Sequence, residues 1–261
     1  MRVLVIGGTG VVGRPTAMEL IRRGHSVAVL SRSATGVPPG AEAFAGDITT
    51  DAGLERALVG VDCVVDCANV TTISRRVAID YFTDTTRRLG RLGRAAGVGH
   101  HVVLSIVGID QTPYGYYEGK AAQEQVALTG PVPATVLRAT QFHEFAGQML
   151  DRMRLGPLSL VPDMLVQPIA AAEVAVALAE VVEAGPAGRV PDIAGPRQEH
   201  LPHLARRLVR HTGQRRAVVS VRLPGAAGRA MRSGGVLPGP DAQLRGPSFD
   251  EWLNGSQAEA R

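Results

Sequence analysis

Apolar, β-branched runs of strand length recur through the first half of the chain, separated by stretches with helical periodicity. The predicted strands are Arg2 to Ile6, Ser26 to Leu30, Glu42 to Ala45, Asp62 to Asp66, His101 to Ser105 and Ala134 to Arg138. Between the fourth and fifth, Phe82, Leu89 and Ala96 share one helical face, whereas Arg87 and Arg91 lie on the other. Strands that alternate with helices in this way predict an α/β fold with a parallel sheet and crossover helices.

The second half of the chain has fewer strand-like runs and more helical periodicity. Helices are predicted from Phe142 to Arg154, from Ala171 to Glu183, and through Leu201, Leu204 and Leu208. Residues 223–247 are rich in glycine and proline and predict an irregular segment, either a lid or a plain connector. We therefore expect a sheet domain over residues 1–140 and a smaller, mainly helical capping region over residues 141–261. A strand near 190–194 is expected to complete the sheet.

Composition excludes several classes of protein. With 45% hydrophobic and 20% charged residues, the chain is too apolar to be disordered. No apolar run approaches the roughly 20 residues that a membrane-spanning helix needs. The first strand begins at Arg2 without a preceding leader-like segment, which favours a cytoplasmic protein. Cys63 and Cys67 are then expected to be buried, reduced thiols.

The charge pattern argues against nucleic acid as a partner. The net charge is +4, but the basic residues are scattered and are not interleaved with aromatic residues. We therefore expect a small-molecule partner, no nucleic acid, no membrane, and a chain that is free to form a homo-oligomer. Almost all the basic residues are arginine, and Lys120 is the single lysine in the chain.

A glycine-rich turn directly follows the first strand. Gly7, Gly10 and Gly13 stand between that strand and a predicted helix. Positions without side chains let a pyrophosphate approach bare backbone N–H groups at a helix N-terminus. The turn therefore predicts a dinucleotide site, and the alternative is a tight turn without a ligand.

The end of the second strand predicts which dinucleotide is bound. Sites that prefer NAD carry an acid here for the ribose hydroxyls, but this chain has Ser31 and Arg32. A guanidinium suits a 2′-phosphate, and the serine hydroxyl adds a contact. We therefore expect NADP(H) in preference to NAD(H).

Several motifs together carry a family resemblance. The spacing GxxGxxG, LSIVGID at the end of the fifth strand, YYEGK after it and LRATQF closing the sixth resemble the atypical short-chain dehydrogenases/reductases, specifically the NmrA-like, NAD(P)H-binding group. The resemblance implies a Rossmann-type, doubly wound parallel sheet. It also implies either a reductase or a cofactor-sensing regulator without catalysis.

The resemblance assigns further cofactor contacts. Together with the residues above, the expected cofactor-binding set is Gly7, Thr9, Gly10, Val11, Val12, Gly13, Ser31, Arg32, Asp47, Ile48, Cys67, Ala68, Lys120, Ala139 and Thr140. In the family, the acid at the place of Asp47 accepts a hydrogen bond from the adenine amino group while the next residue packs on the ring. Helix capping is the alternative for Asp47. For the sulfur of Cys67, packing is favoured over chemistry.

The resemblance also supplies the candidate catalytic residues Ser105, Tyr116 and Lys120. In the family the tyrosine gives a proton to the substrate oxygen and the lysine hydrogen-bonds the nicotinamide ribose. A phenol with a pKa of about 10 needs a nearby cation to take part at neutral pH. Tyr116 and Lys120 are four residues apart and share a helix face, but Tyr117 is three residues from the lysine, so helical phase leaves the choice of tyrosine open.

The substrate side is less marked in the sequence. Phe142 and His143 follow the sixth strand and are candidates for substrate contact, with a solvated histidine at a helix start as the alternative. His200 and His203 have loose metal-like spacing without a third ligand, so no metal is expected. The sequence favours an NADP(H)-dependent reductase of a carbonyl, quinone or activated double bond, with a cofactor-binding sensor as the main alternative and a nucleotide-sugar epimerase or dehydratase as a weaker one.

Overall fold

A computed structural model of the chain describes the backbone of residues 1–259 and the side chains of residues 1–255. The first half contains β1 (Arg2–Ile6), α1 (Gly13–Arg22), β2 (Ser26–Ser31), β3 (Glu42–Ala45), α2 (Leu54–Ala57), β4 (Cys63–Asp66), α3 (Arg75–Ala96), β5 (His100–Ile106), α4 (Gly115–Leu128) and β6 (Ala134–Ala139). The second half contains α5 (Phe145–Arg152), β7 (Arg154–Leu155), β8 (Leu158–Pro162), β9 (Leu165–Val166), α6 (Ala171–Ala184), β10 (Gly188–Arg189), β11 (Ile193–Ala194), β12 (Glu199–His200), α7 (Leu201–His211), β13 (Ala217–Val221), α8 (Gly225–Arg232), β14 (Gln243–Leu244) and α9 (Phe249–Glu259).

The chain divides into two compact units. The first comprises Met1–Ser105, Tyr114–Arg138 and Ala172–Pro191, and the second comprises Ile106–Pro113, Ala139–Ala171 and Asp192–Arg261. The first unit therefore takes most of α6, which lies within the predicted capping region of residues 141–261.

The first unit is built on a parallel sheet. Its strands lie in the order β6-β5-β4-β1-β2-β3, and β1 runs parallel to both β2 and β4. The central strands are buried on both faces, which is why they are continuous apolar runs and not alternating ones. On one face Leu4, Ile6 and Leu30 pack with Leu54 and Leu58 from α2 and the residue after it. The predicted α/β, Rossmann-type parallel sheet is confirmed.

The second unit contains short strands as well as helices. β8 pairs antiparallel with β7 and parallel with β13, β9 pairs with β12, and β11 pairs with β14. In β11, Ile193 also pairs with Ala139, where a strand near 190–194 was expected. The sequence suggested a more helical region, because runs of two to five strand residues are too short to show periodicity.

The glycine- and proline-rich segment is more regular than predicted. Residues 223–247 include α8 and β14. Gly228 is required within α8, because a Cβ there would lie 2.0 Å from the carbonyl oxygen of Leu223. The glycines that predicted an irregular segment thus include one that permits a tight helix start. None of the helices in the described part of the chain is long and apolar enough to cross a bilayer.

Candidate functional site

The glycine turn is closed by backbone contacts that only glycine permits. Gly7 has a φ of +73°, and a Cβ there would lie 2.8 Å from the carbonyl oxygen of Cys67. A Cβ on Gly13 would lie 2.2 Å from the carbonyl oxygen of Gly7. The N–H of Gly10 donates to the same Gly7 oxygen at 2.9 Å. The turn therefore folds tightly onto the end of β1 and brings the start of α1 close to it.

The start of α1 leaves backbone donors available. In the described chain the N–H groups of Val11, Val12 and Gly13 have no hydrogen-bond acceptor, and no side chain caps the helix. The first turn of α1 also carries no acidic residue. Thr9 and Val11 are exposed, whereas Val12 is buried. Unpaired amides at the positive end of a helix dipole suit an anion, so the turn fits a diphosphate.

The end of β2 places a cation beside a carboxylate. Arg32 is exposed and lies close enough to Asp47 to help hold the pKa of that carboxyl below its ordinary value. Ser31 Oγ is buried and has no hydrogen-bond partner among the described residues. Arg14 Nη1 donates to the carbonyl oxygen of Gly36 at 2.7 Å, which ties α1 to the loop after β2. At the carboxyl end of β2, the Arg32 guanidinium and the Ser31 hydroxyl thus form no hydrogen bond with any residue in the described part of the chain.

Asp47 forms a turn of its own. Its Oδ1 accepts hydrogen bonds from the N–H and the hydroxyl of Thr49, at 2.8 and 2.7 Å, and these bonds are the main reason that its pKa is lowered. The N-cap of the next helix, α2, is Gly53, so Asp47 does not cap that helix. Ile48 is buried in the apolar core beneath β1 and β2.

Cys67 and Ala68 directly follow β4 and lie against the glycine turn. Ala68 is buried and its N–H donates to Asp66 Oδ1 at 2.9 Å. Cys67 is partly exposed as a residue, but burial of its thiol raises the pKa to about 12. Both cysteines are free thiols, as expected, and Cys67 is a packing group at neutral pH.

The two candidate tyrosines lie in different surroundings. Tyr116 is half-buried, and its hydroxyl donates to Asn69 Oδ1 at 2.7 Å. Tyr117 is 6% exposed and its ring packs edge-on against Tyr114, with centroids 5.6 Å apart. The Tyr116 ring packs in the same manner on Phe82. Tyr116 is therefore the more accessible of the two hydroxyl-bearing rings.

Lys120 is a buried cation with protein partners. The residue is 4% exposed, and Nζ donates to the carbonyl oxygen of Leu104 at 2.6 Å and to Gln123 Oε1 at 2.5 Å. Nζ also lies 4.7 Å from the centre of the Phe82 ring. Burial lowers the pKa of Lys120 to about 8, against the opposing effect of the Asp66 charge.

Ser105 belongs to a buried ionic cluster. Its hydroxyl donates to Glu124, which is fully buried. Arg138 binds both oxygens of that carboxylate, at 2.8 and 2.7 Å, and Arg189 lies 3.0 Å from one of them. Ser105 thus donates a hydrogen bond to Glu124, whereas the Tyr116 hydroxyl donates to Asn69 and the Lys120 amine donates to Gln123.

The predicted cofactor contacts Ala139, the last residue of β6, and Thr140, which follows it, are engaged within the second unit. Ala139 is buried and pairs with Ile193. The Thr140 hydroxyl donates to the carbonyl oxygen of Gln167 at 2.6 Å. Any contact they make with a ligand therefore involves backbone more readily than the threonine hydroxyl.

Three of the next four residues, Gln141, His143 and Glu144, carry buried polar atoms without a partner among the described residues. His143 is 1% exposed, so the alternative of a solvated histidine is wrong. Its Nε2 lies 3.1 Å from the carbonyl oxygen of Pro247 while Nδ1 has no partner among the described residues. Both amide atoms of Gln141 and Oε2 of Glu144 also lack partners. Burial raises the pKa of Glu144 and lowers that of His143. Phe142, the fourth of these residues, is half-buried.

Sequence reasoning missed the partners of the predicted residues. Asn69, Gln123 and Glu124 bind the side chains of Tyr116, Lys120 and Ser105, and Asp66 in turn accepts a hydrogen bond from Gln123. Only Gln123 and Glu124 had a local signal, since they lie three and four residues after Lys120 on the same helix. Among the described side chains no group of three potential ligands could hold a metal ion.

Comparison with known proteins gives a family match over most of the chain. Residues 7–184 match a family model described as NAD(P)H-binding. Among curated proteins, the chloroplastic divinyl chlorophyllide a 8-vinyl-reductase of Oryza sativa subsp. indica is 27% identical over 220 residues, which are 74% of this chain and 54% of that protein. The chain therefore spans about half the length of this relative.

Solved structures share the fold at low sequence identity. MoeE5 in complex with UDP-glucose and NAD has a TM-score of 0.74 and 17% identity, with both chains fully covered. DesIV, a dTDP-glucose 4,6-dehydratase from Streptomyces venezuelae with NAD and TYD bound, has a TM-score of 0.72 and 20% identity over 98% of this chain and 96% of that one. At these identities the similarity establishes the fold.

Proposed function

The chain belongs to the NAD(P)H-binding family, and from this premise we propose that it is an NADP(H)-dependent oxidoreductase that reduces a carbonyl, quinone or activated double bond of a small organic molecule. The membership confirms the family resemblance that the motifs predicted. The observation that carries the proposal is the glycine turn, with its unpaired amides, together with Arg32 where an NAD site would have an acid.

In the proposal the cofactor is held mainly by backbone. The N–H groups of Val11, Val12 and Gly13 bind the diphosphate. Arg32 binds the 2′-phosphate as a charge-assisted fork, and the unpartnered Ser31 hydroxyl donates to the same group. The free oxygen of Asp47 accepts from the adenine amino group. Contacts from the other predicted residues, including Ala139 and Thr140, stay predictions.

The bound dinucleotide would supply a hydride, and the chain must supply the proton that completes the reduction. Tyr116 is the proposed donor, because the residue is half-buried whereas Tyr117 is 6% exposed. Its proton passes to the substrate oxygen, or to the corresponding carbon of an activated double bond, and is replaced from solvent. Lys120 favours the ionised phenol left behind through its positive charge.

A second candidate function is a sensor that binds the cofactor without turnover. The observation that favours it is the engagement of Ser105 by Glu124, since this hydroxyl is then not available to a substrate. The two functions share the cofactor site and differ only in what happens after binding.

Cofactor titration of Arg32→Ala tests the proposal. We expect the wild type to bind NADPH more tightly than NADH in calorimetry. Arg32→Ala should weaken NADPH about 10- to 100-fold, the value of a charge-assisted hydrogen-bonded pair, and leave NADH within about twofold. Arg87→Ala is the matched control, because Arg87 is an exposed arginine paired with Asp84 on α3.

Each outcome separates the alternatives. Equal affinity for the two cofactors, or an equal loss of both in Arg32→Ala, contradicts the NADP(H) assignment. Tight NADPH binding with no NADPH oxidation across a panel of quinones, aldehydes and enones favours the sensor. If neither cofactor binds, both functions are wrong. If reduction is found, Tyr116→Phe should abolish most of it while Tyr117→Phe does not.

A further inference from the structure

The only lysine of the chain is the first member of a buried chain of hydrogen bonds. Lys120 Nζ donates to Gln123 Oε1 at 2.5 Å, and Gln123 Nε2 donates to Asp66 Oδ2 at 2.9 Å. Gln123 and Asp66 are 0% and 1% exposed. The amide of Gln123 thus joins an ammonium on α4 to a carboxylate at the end of β4.

The polarity of this chain fixes the orientation of Gln123. An ammonium only donates and a carboxylate only accepts, so the amide must turn its oxygen to Lys120 and its nitrogen to Asp66. Asp66 Oδ1 is taken by the N–H of Ala68. A flipped amide would set donor against donor at one end and acceptor against acceptor at the other. The Gln123 amide therefore has one stable orientation between Lys120 and Asp66.

Asp66 is the carboxylate whose charge is not matched by an arginine. Glu124 also lies near Lys120, but it is bound by Arg138 and Arg189. Among the described residues Asp66 forms no ion pair with an arginine. His101 lies 4.0 Å from it, and the charge of Asp66 also acts on the phenol of Tyr81 and the thiol of Cys67, whose pKa values, raised chiefly by burial, keep both neutral near pH 7. Burial lowers the pKa of His101, which leaves it neutral near pH 7. The ammonium also lies near the neutral thiol of Cys67 and the ring of Phe82.

We infer that Gln123 is a positioning residue that couples Lys120 to Asp66, holding the ammonium in place and keeping it charged. Through the amide, the negative charge of Asp66 offsets the loss of water around the buried amine. The coupling is a property of the chain without cofactor. It deepens the role given to Lys120 in the proposed function, but it is tested without any substrate or dinucleotide.

The single lysine makes the coupling directly measurable. Protein grown with 13C-labelled lysine has one Cε resonance, and its chemical shift against pH gives the pKa of Lys120 without assignment. The variants are Asp66→Asn, which turns an acceptor into a donor, and Gln123→Met, which removes the amide at similar volume. Matched controls are Asp62→Asn, at an exposed position just before β4, and Gln125→Met, at an exposed position on α4.

We expect the pKa of Lys120 to fall by about one pH unit in Asp66→Asn and in Gln123→Met, the effect of losing a nearby opposite charge or the group that transmits it. The controls should titrate as the wild type does. A purely structural role would lower the thermal unfolding temperature of the two variants and leave the pKa unchanged, and that result overturns the inference. If Asp66→Asn fails to fold, the pKa in Gln123→Met decides.

The test also separates this inference from the proposed function. If NADPH does not bind but the pKa falls in both variants, the coupling stands and the oxidoreductase proposal fails. If NADPH binds and the pKa does not move, Gln123 has no positioning role and Lys120 acts without it.

Discussion

Buried polar groups around Lys120 and Glu124 in the first unit are paired, whereas several of those just after β6 in the second unit have no partner among the described residues. In the first unit, Lys120 has Gln123 and Leu104 as partners, and Glu124 has Ser105 and two arginines. In the second unit, both amide atoms of Gln141, Nδ1 of His143 and Oε2 of Glu144 have no hydrogen-bond partner within the described part of the chain.

The difference separates two uses of buried polarity. A saturated network is completed by the chain itself, so its members are held in position and their loss should cost stability. An unpaired buried polar atom costs free energy in the folded state and is completed by something outside the chain, water or a ligand. Replacing a polar group should therefore lower the free energy of unfolding in the paired cluster and raise it at the unpaired site.

The largest expected effect is the loss of the Glu124 carboxylate. Glu124→Gln should lower the free energy of unfolding by about 4 kcal/mol, because it removes the buried negative charge that binds the largely buried guanidinium of Arg138 through two hydrogen bonds. Urea unfolding at neutral pH measures this. Glu118→Gln on the same helix is the control, since Glu118 pairs with the exposed Arg75, and it should change stability by less than about 0.5 kcal/mol. Equal effects at the two positions would show that the buried cluster is not held by its charge.

That cluster also shows what the sequence predicted and what it did not. The glycine turn and the six strands of the first half follow from local patterns, and the observed strand bounds match within one residue at each end. The Ser105 and Lys120 positions follow from a motif. Their partners Glu124, Gln123 and Asp66 depend on which strands become neighbours, and that is decided by the packing of the whole sheet.

The next effect is a dependence of stability on pH. Burial lowers the pKa of Lys120 to about 8, so between pH 8 and 10.5 the unfolded chain binds more protons than the folded one. The free energy of unfolding should therefore rise with pH in this window, by up to about 3 kcal/mol, because the cost of burying a charged Lys120 is removed. This free-energy cost of burying the ammonium is constant below pH 8 and absent above pH 10.5.

Comparison with Lys120→Met isolates this contribution. Burial raises the pKa of Cys63, Cys67 and Tyr81 to about 12, which lowers stability at high pH in both proteins and cancels in the difference. Relative to Lys120→Met, the wild type should gain stability from pH 8 to 10. A flat difference would mean that the ammonium is as well solvated in the folded protein as in the unfolded one.

The smallest effect, with the opposite sign, is expected in the second unit. Gln141→Leu removes two buried polar atoms that have no partner among the described residues and keeps a similar volume, so it should raise the free energy of unfolding of the ligand-free protein by about 1 kcal/mol. Gln214→Leu, at an exposed position after α7, is the control for the gain of a leucine and should be near neutral. Urea unfolding of both variants beside the wild type gives the comparison. A loss of about 1 kcal/mol in Gln141→Leu would instead mean that a tightly held water completes the amide, and the two regions would then be saturated alike.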